Sequence, residues 1–137
     1  MKRWFGLSLS GLAGVVVGML LVSLIVATVP QTGAASTSSN GEPAVHMTND
    51  SFVQNVVLVP KGSKLLLVND SSVEHLLQNG EWDANGTARP LAEPGAPVVH
   101  NVEITGGSVE IGPFTTAGVY HIYCTIHPGM NLTIVVQ

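Results

Sequence analysis

Three patterns of hydrophobic and polar positions divide the chain into segments 1–29, 30–43 and 44–137. Segment 1–29 contains 25 consecutive uncharged residues, mostly Leu, Val, Gly and Ser. Segment 30–43 reads PQTGAASTSSNGEP and is poor in apolar residues, whereas segment 44–137 alternates short apolar runs with Gly, Pro, Asn and Asp. The pattern predicts one N-terminal hydrophobic helix, then a flexible linker, then a single folded domain.

The hydrophobic run in segment 1–29 has the properties of a membrane anchor. A helix needs about 20 apolar residues to span a bilayer, and a signal-peptide core usually has only about 7–15. Lys2 and Arg3 precede the run, which favours an N-terminus in the cytoplasm and a folded domain on the extracytoplasmic side. We predict a single uncleaved anchor in the cell membrane. The alternative is cleavage near Ala35, after small residues, which would give a secreted or periplasmic protein.

The folded domain, 44–137, is predicted to be all-β. No window shows sustained helical periodicity, and short Val-, Ile-, Leu- and Thr-rich runs separated by turn residues favour a sandwich or barrel. Residues 69–72 read NDSS and are predicted to form a turn, and 79–97 is the longest irregular stretch. The candidate strands are Val45–Thr48, Val53–Val59, Ser63–Val68, Val73–Gln78, Val98–Ile104, Ser108–Ile111, Gly118–Cys124 and Leu132–Val136.

Charge and cysteine content exclude several classes of function. The 137 residues have a formal net charge of −4, which argues against a nucleic-acid-binding protein. All nine acidic residues lie from Glu42 onward, where only three residues are basic. Cys124 is the single cysteine, so an internal disulfide, a four-thiolate zinc site and an iron–sulfur cage are excluded.

Strand alternation brings three metal-binding side chains to one interior. Cys124 shares a strand face with Tyr120 and Ile122, and Met130 is in phase with the apolar face of the last strand. His75 is in phase with the apolar positions of its own strand. A thiolate, an imidazole and a thioether are therefore expected to converge, and together they suit a soft metal ion.

The segment YCTIHPGM, residues 123–130, concentrates the chemistry in one loop. It places Cys124, His127 and Met130 around a Pro-Gly turn. Thioether sulfur suits copper, and two His and one Cys with a weak axial Met form the blue-copper electron-transfer geometry. The second His must come from elsewhere: His75 is favoured and His100 is the rival.

These motifs resemble those of the cupredoxins, the small blue-copper proteins that include plastocyanin, amicyanin and azurin. The Cys-x2-His-x2-Met spacing with its His-Pro pair is similar to amicyanin, and Asn69 precedes His75 by the six residues seen in plastocyanin-like proteins. The resemblance covers 44–137. It implies a Greek-key β-sandwich with one type 1 copper, held by His75, Cys124 and His127 as strong ligands and Met130 as the axial ligand.

Two positions depart from the cupredoxin pattern. Leu76 replaces the Asn or Ser that many members place after the first His, and Ile126 replaces the Pro that amicyanin and plastocyanin have two residues after the Cys. Backbone N–H groups of both residues are expected to reach the Cys124 sulfur. A second such bond would raise the reduction potential above that of an Ile126→Pro variant.

The resemblance implies a function in electron transfer. We expect an exported, membrane-tethered and monomeric type 1 copper protein that cycles between Cu(I) and Cu(II) and exchanges electrons with redox partner proteins. A closed site of this kind is not an enzyme. The alternative is a copper-binding module for storage, delivery or sensing. His46 and Met47 could form a weak second copper site, although an ordinary pair on an edge strand is favoured.

Overall fold

The computed structural model describes residues 36–37 and 40–137, which form an all-β fold. The prediction of an all-β domain is therefore confirmed. The hydrophobic helix predicted in 1–29 and the cleavage position near Ala35 lie outside the described residues. Among the described residues, no helix has the length and hydropathy needed to cross a membrane. The strands are β1 (Ser36–Thr37), β2 (Pro43–Met47), β3 (Val56–Val59), β4 (Leu65–Trp82), β5 (Ala88–Pro90), β6 (Val102–Ile111), β7 (Gly118–Cys124) and β8 (Asn131–Val136).

Strand β4 organises the sheet because it pairs with four other strands. The path through the sheet runs β1-β2-β4-β7-β8-β3, and β5 and β6 also pair with β4. The β2–β4 and β3–β8 pairs are parallel, and the remaining pairs are antiparallel. Strand β1 lies within the stretch predicted as linker. Through β4, the start of the domain is connected directly to the strand that ends at Cys124.

The predicted turn at 69–72 is wrong, since these residues form an irregularity inside β4. Asn69 is opposite Gly107 of β6, but the next aligned pair is Glu74 with Thr105. Four residues of β4 therefore lie against one residue of β6, as in an extended β-bulge. The polar sequence NDSS permits either a turn or a bulge, and pairing with β6 on both sides selects the bulge.

Asn69 closes this bulge with its buried side chain. Its Nδ2 donates to the carbonyls of Val73 and Ile104, at 2.8 and 3.1 Å. Its Oδ1 accepts from the Ser71 N–H at 3.0 Å and the Ser71 hydroxyl at 2.8 Å. The side chain thus replaces the ladder hydrogen bonds that the bulge removes. This arrangement fixes the direction in which β4 continues toward His75.

The inward faces of β2, β3, β4, β7 and β8 supply most of the core. The alternation predicted for the last strand is confirmed, since Leu132, Ile134 and Val136 are all buried. Val119, on the other face of β7, is exposed as expected, but Tyr123 on that same face is buried. Tyr123 is covered because Trp82 packs against it edge to face, with ring centroids 5.9 Å apart. Both faces of β7 are therefore covered at the end of the strand that carries Cys124.

The stretch predicted as irregular, 79–97, contains the end of β4 and all of β5. Gly80 allows this pairing because its φ is +128° and a Cβ at this position would overlap the Arg89 carbonyl oxygen. Asp83 then holds the connection to β5 by accepting from the N–H groups of Asn85 and Thr87 at 2.9 Å each. Gly80 lets the β5 backbone approach β4 closely, and the Asx-type turn at Asp83 leads the chain from the end of β4 into β5.

Asp83→Asn is expected to lower stability at neutral pH and to have no effect in acid. The Thr87 N–H, then the Arg89 side chain, holds the pKa of Asp83 below its ordinary value of 3.8. A depressed carboxyl pKa contributes stability above the unfolded pKa, and this contribution is lost as the pH falls through the folded pKa. Urea unfolding of both proteins across this range is the measurement. An equal loss at every pH would contradict the account.

Candidate metal centre

Three side chains, from β4, from the end of β7 and from the loop after β7, meet at one point. The ligand atoms of His75, Cys124 and His127 all lie within 4.8 Å of one another. The Cys124 Sγ is 3.3 Å from the His127 Nδ1, and the two imidazole rings have centroids 4.9 Å apart. Bonds from a first-row metal ion to nitrogen or sulfur are about 2.0–2.3 Å long. One ion therefore fits between these atoms after shifts of a few tenths of an ångström.

His75, a member of this cluster, has one ring nitrogen without a hydrogen-bond partner. Its Nε2 lies 2.9 Å from the Thr48 carbonyl oxygen, and because a carbonyl only accepts, Nε2 carries the proton. The other nitrogen, Nδ1, is buried and has no hydrogen-bond partner. Burial lowers the pKa of His75 below 6.5, the Thr48 bond opposes that shift, and His127 lowers the pKa further. At neutral pH the ring is therefore neutral, with the Nδ1 lone pair available to a metal ion.

The loop after β7 is closed by its own backbone. The Met130 N–H donates to the His127 carbonyl at 3.2 Å, with Pro128 and then Gly129 between them. Gly129 has φ +81°, as the third residue of a type II turn requires, and Pro is favoured at the second. The Cys124 N–H donates to the Met130 carbonyl at 3.0 Å. These bonds return the chain to the cluster three residues after His127.

Met130 completes the set of donors. It is buried at the end of this loop, and the four residues His75, Cys124, His127 and Met130 are clustered as in a type 1 copper site. The donors are chemically suited to copper, since they combine a thiolate, two imidazoles and a thioether. The buried, unpartnered Nδ1 of His75 fits the same interpretation, because a buried nitrogen without a partner is costly unless a ligand occupies its lone pair.

His100 lies outside the cluster, so the structure favours His75 over this rival. The His100 side chain is exposed, and its Nε2 is 3.3 Å from the Asn101 side-chain nitrogen. Glu74, adjacent to His75, is exposed on the opposite face of β4, as alternation predicts. Among residues 40–137, His75, Cys124 and His127 form the one group of three or more such donors close enough to share an ion.

His46 and Met47 do not converge on a second site. The His46 Nδ1 is 2.7 Å from the Asp70 carboxylate, whereas Met47 is fully buried in the core. Successive side chains on a strand point to opposite faces, and β2 follows this rule. His121, also outside the cluster, is paired with Glu93 at 2.7 Å. Each of these two histidines therefore has a carboxylate partner outside the cluster.

The two ligand-bearing segments are tied together by Thr125, which the sequence did not indicate. Its N–H and its hydroxyl both donate to the Leu76 carbonyl, at 2.8 and 3.2 Å. The expected N–H bonds to sulfur are not formed: no hydrogen bond among the described residues joins Leu76 or Ile126 to the Cys124 Sγ. The prediction that Ile126 raises the reduction potential therefore loses its basis, because Sγ faces the His127 imidazole instead.

Thr48, Trp82 and Asn131 also support the cluster, and of these Thr48 and Asn131 were missed. Thr48 contributes only its backbone carbonyl to His75, which leaves no signal in the sequence. Trp82 donates its indole N–H to the Cys124 carbonyl at 2.8 Å, although its position indicated a loop. Asn131 directly follows Met130, and that position is the only sequence signal that could have identified it.

Comparisons with known proteins support the fold. No family model matches the chain, and no curated protein matches it. A purple cupredoxin from Nitrosopumilus maritimus is 24% identical, with a TM-score of 0.51, covering 69% of this chain and 98% of that one. Amicyanin from Paracoccus versutus is 20% identical, with a TM-score of 0.51, covering 81% and 87%. An oxidized amicyanin variant is 19% identical, with a TM-score of 0.53, covering 76% and 90%.

These likenesses cover most of the chain and most of each solved structure. The solved structures are cupredoxins by description, and they cover about three quarters of the chain at levels of identity that establish a fold. The resemblance inferred from the loop motif and the observed architecture thus agree. The described domain has the cupredoxin fold, with four donors arranged as in a type 1 copper site.

Proposed function

We propose that this protein is a type 1 copper electron-transfer protein. His75, Cys124 and His127 would hold the ion, and Met130 would be the weak fourth donor. Copper, when bound, supplies a one-electron change between Cu(I) and Cu(II). The observation that carries the proposal is the cluster itself: one ring nitrogen of His75, the Cys124 Sγ and a His127 nitrogen lie within 4.8 Å of one another, and the buried His75 Nδ1 has no hydrogen-bond partner.

Burial of the donors favours an electron carrier over a storage, delivery or sensing module. His75 and Cys124 are each 0% exposed, whereas rapid metal exchange needs an accessible site. A closed four-donor set also leaves no open position for a substrate, which argues against an enzyme. His127 alone among the three clustered donors is partly exposed. Its ring is therefore the proposed route for electrons to and from redox partner proteins.

The surface around His127 is suited to brief contact with a partner. Ile126, Pro128 and Gly129 are exposed beside it, and residues 125–130 contain no Asp, Glu, Lys or Arg. An apolar contact of this kind excludes water without forming strong ion pairs, which suits a complex that must dissociate after each transfer.

We also propose that the domain is a monomeric Greek-key sandwich held at the outer face of the cell membrane. The 25 uncharged residues of segment 1–29 and the preceding Lys2 and Arg3 support an uncleaved anchor. The alternative remains cleavage near Ala35. N-terminal sequencing of the protein recovered from membranes is expected to begin at Met1 or Lys2; a start near Ser36 would establish cleavage.

Titration of the full chain with Cu(II) tests the proposal. The wild-type protein and His100→Ala are expected to develop an intense thiolate-to-copper absorption band, and His75→Ala is expected to lose or strongly shift it. Circular dichroism establishes that each variant is folded. His100→Ala is the matched control, since it removes an imidazole outside the cluster. A wild-type protein with only weak copper bands, or a band unchanged in His75→Ala, would overturn the proposal.

A further inference from the structure

The Trp82 side chain contacts the end of β7, where the loop from Cys124 to Met130 (here called the metal loop) begins. Its indole Nε1–H donates to the Cys124 carbonyl oxygen at 2.8 Å. Its ring stands edge to face on Tyr123, with an interplanar angle of 89° and centroids 5.9 Å apart. The side chain of Trp82 thus makes both a polar and an aromatic contact with the last two residues of β7. Neither contact involves a metal donor atom.

Asn131 connects the same tryptophan to the end of the metal loop. Its Oδ1 accepts from the Trp82 N–H at 2.8 Å, and its Nδ2 donates to the Trp82 carbonyl at 2.9 Å. One amide side chain therefore satisfies both backbone groups of Trp82, as a neighbouring strand would. Asn131 directly follows Met130. The last residue of β4 is consequently bonded to both ends of the loop that carries three of the four donors.

Without a bound ion, the loop from Cys124 to Met130 needs contacts with other parts of the domain to stay closed. The buried Nδ1 of His75 has no partner, and an unsatisfied buried nitrogen favours any opening that admits water. The Cys124 Sγ is fully buried beside the His127 ring. Contacts that hold residues 124–130 closed must therefore offset this tendency when no ion is present. Trp82 and Asn131 provide such contacts at the loop's entry and exit.

We propose that Trp82 and Asn131 are positioning residues that hold the loop from Cys124 to Met130 in its metal-binding conformation before an ion binds. The inference rests on the proposed function, because a preformed loop matters only if a metal uses it. Trp82 acts through the Cys124 carbonyl and Asn131 acts through the Trp82 backbone. A preformed site requires little rearrangement when the ion enters, which favours rapid and specific loading.

Reactivity of the only cysteine in the chain measures loop opening directly. In the metal-free full chain, Cys124 is fully buried, so an uncharged thiol reagent can react only after the loop opens. Trp82→Phe removes the indole N–H and keeps an aromatic ring on Tyr123. It is expected to speed the reaction about tenfold, the effect of losing one hydrogen bond to a buried carbonyl. Asn131→Asp is expected to speed it more, because a carboxylate oxygen would replace the donor that faces the Trp82 carbonyl.

Tyr120→Phe is the matched control because it also removes one aromatic-side-chain donor to a backbone carbonyl. The Tyr120 hydroxyl donates to the Thr116 carbonyl at 2.9 Å, near the other end of β7. Urea unfolding measures global stability for all variants. The proposal predicts faster thiol reaction in Trp82→Phe than in Tyr120→Phe at comparable global stability. Equal rates in these two variants, or a wild-type rate in Trp82→Phe, would overturn it.

The copper-loaded proteins give a second readout. Trp82→Phe is expected to shift the thiolate-to-copper band and the reduction potential, because the geometry at Cys124 relaxes, whereas Tyr120→Phe leaves both unchanged. Failure of the wild-type protein to form that band would reject the copper function but would leave the thiol result to decide the loop proposal. The two conclusions are therefore tested by separate observations.

Discussion

Cys124→Ser is expected to abolish the thiolate-to-copper band completely while the domain stays folded. Cys124 supplies the only thiolate in the chain, and a serine hydroxyl neither ionises at neutral pH nor donates as a soft ligand. We expect the affinity for copper to fall by more than about 100-fold, since even residues that support a ligand contribute about 10–100-fold. Optical titration and competition with a copper chelator measure both effects.

The fold of this variant is expected to survive because serine and cysteine have nearly the same volume. Cys124 is fully buried, so the new hydroxyl must find a partner, for which the His127 Nδ1 at the sulfur's present distance of 3.3 Å is placed. The loss in free energy of unfolding is expected to be about 1 kcal/mol. An intense charge-transfer band in Cys124→Ser would show that another group binds the ion and would contradict the assigned site.

Asn69→Ala is expected to lower the free energy of unfolding by about 3 kcal/mol. Asn69 is only 4% exposed and makes four hydrogen bonds, two as a donor to backbone carbonyls and two as an acceptor from Ser71. Alanine would leave the Val73 and Ile104 carbonyls without these partners, and each such loss costs roughly 1–3 kcal/mol. Urea unfolding of the metal-free protein measures the change.

Asn101→Ala is the control for this variant. Asn101 is exposed, and its side-chain nitrogen lies 3.3 Å from the His100 ring. Asn101 has a φ of +51°, which asparagine tolerates better than alanine, so its replacement is expected to cost about 1 kcal/mol, well below the cost at Asn69. We also expect Asn69→Ala to weaken copper binding, because the bulge it closes leads directly into His75. An effect on stability as small as that of Asn101→Ala would show that the bulge holds without this side chain.

The sequence predicts the donors in the loop from Cys124 to Met130 better than it predicts the residues that hold this loop in place. Cys124, His127 and Met130 lie within seven residues, so their spacing and the Pro-Gly turn already define their mutual geometry. His75 is predicted from the phase of its strand and from the six-residue spacing to Asn69 that the family resemblance supplies. These inferences depend on local pattern and side-chain chemistry, both of which are readable from residue order.

The remaining features depend on tertiary pairing that residue order does not reveal. The NDSS segment has the same composition whether it turns or bulges, and only pairing with β6 decides between them. Thr48 acts through its carbonyl, which every residue type possesses. Trp82 and Asn131 are 49 positions apart, so their contact follows from the extension of β4 past Gly80, which in turn depends on the approach of β5.

X-ray absorption at the copper edge, recorded on the full chain loaded with one equivalent of Cu(II), identifies the atoms bound to the ion. We expect one short sulfur neighbour and two imidazole nitrogens around the ion, from Cys124, His75 and His127. It also predicts that this sulfur shell disappears in Cys124→Ser. A shell of nitrogen and oxygen atoms without sulfur in the wild-type protein would contradict the assignment of a type 1 site.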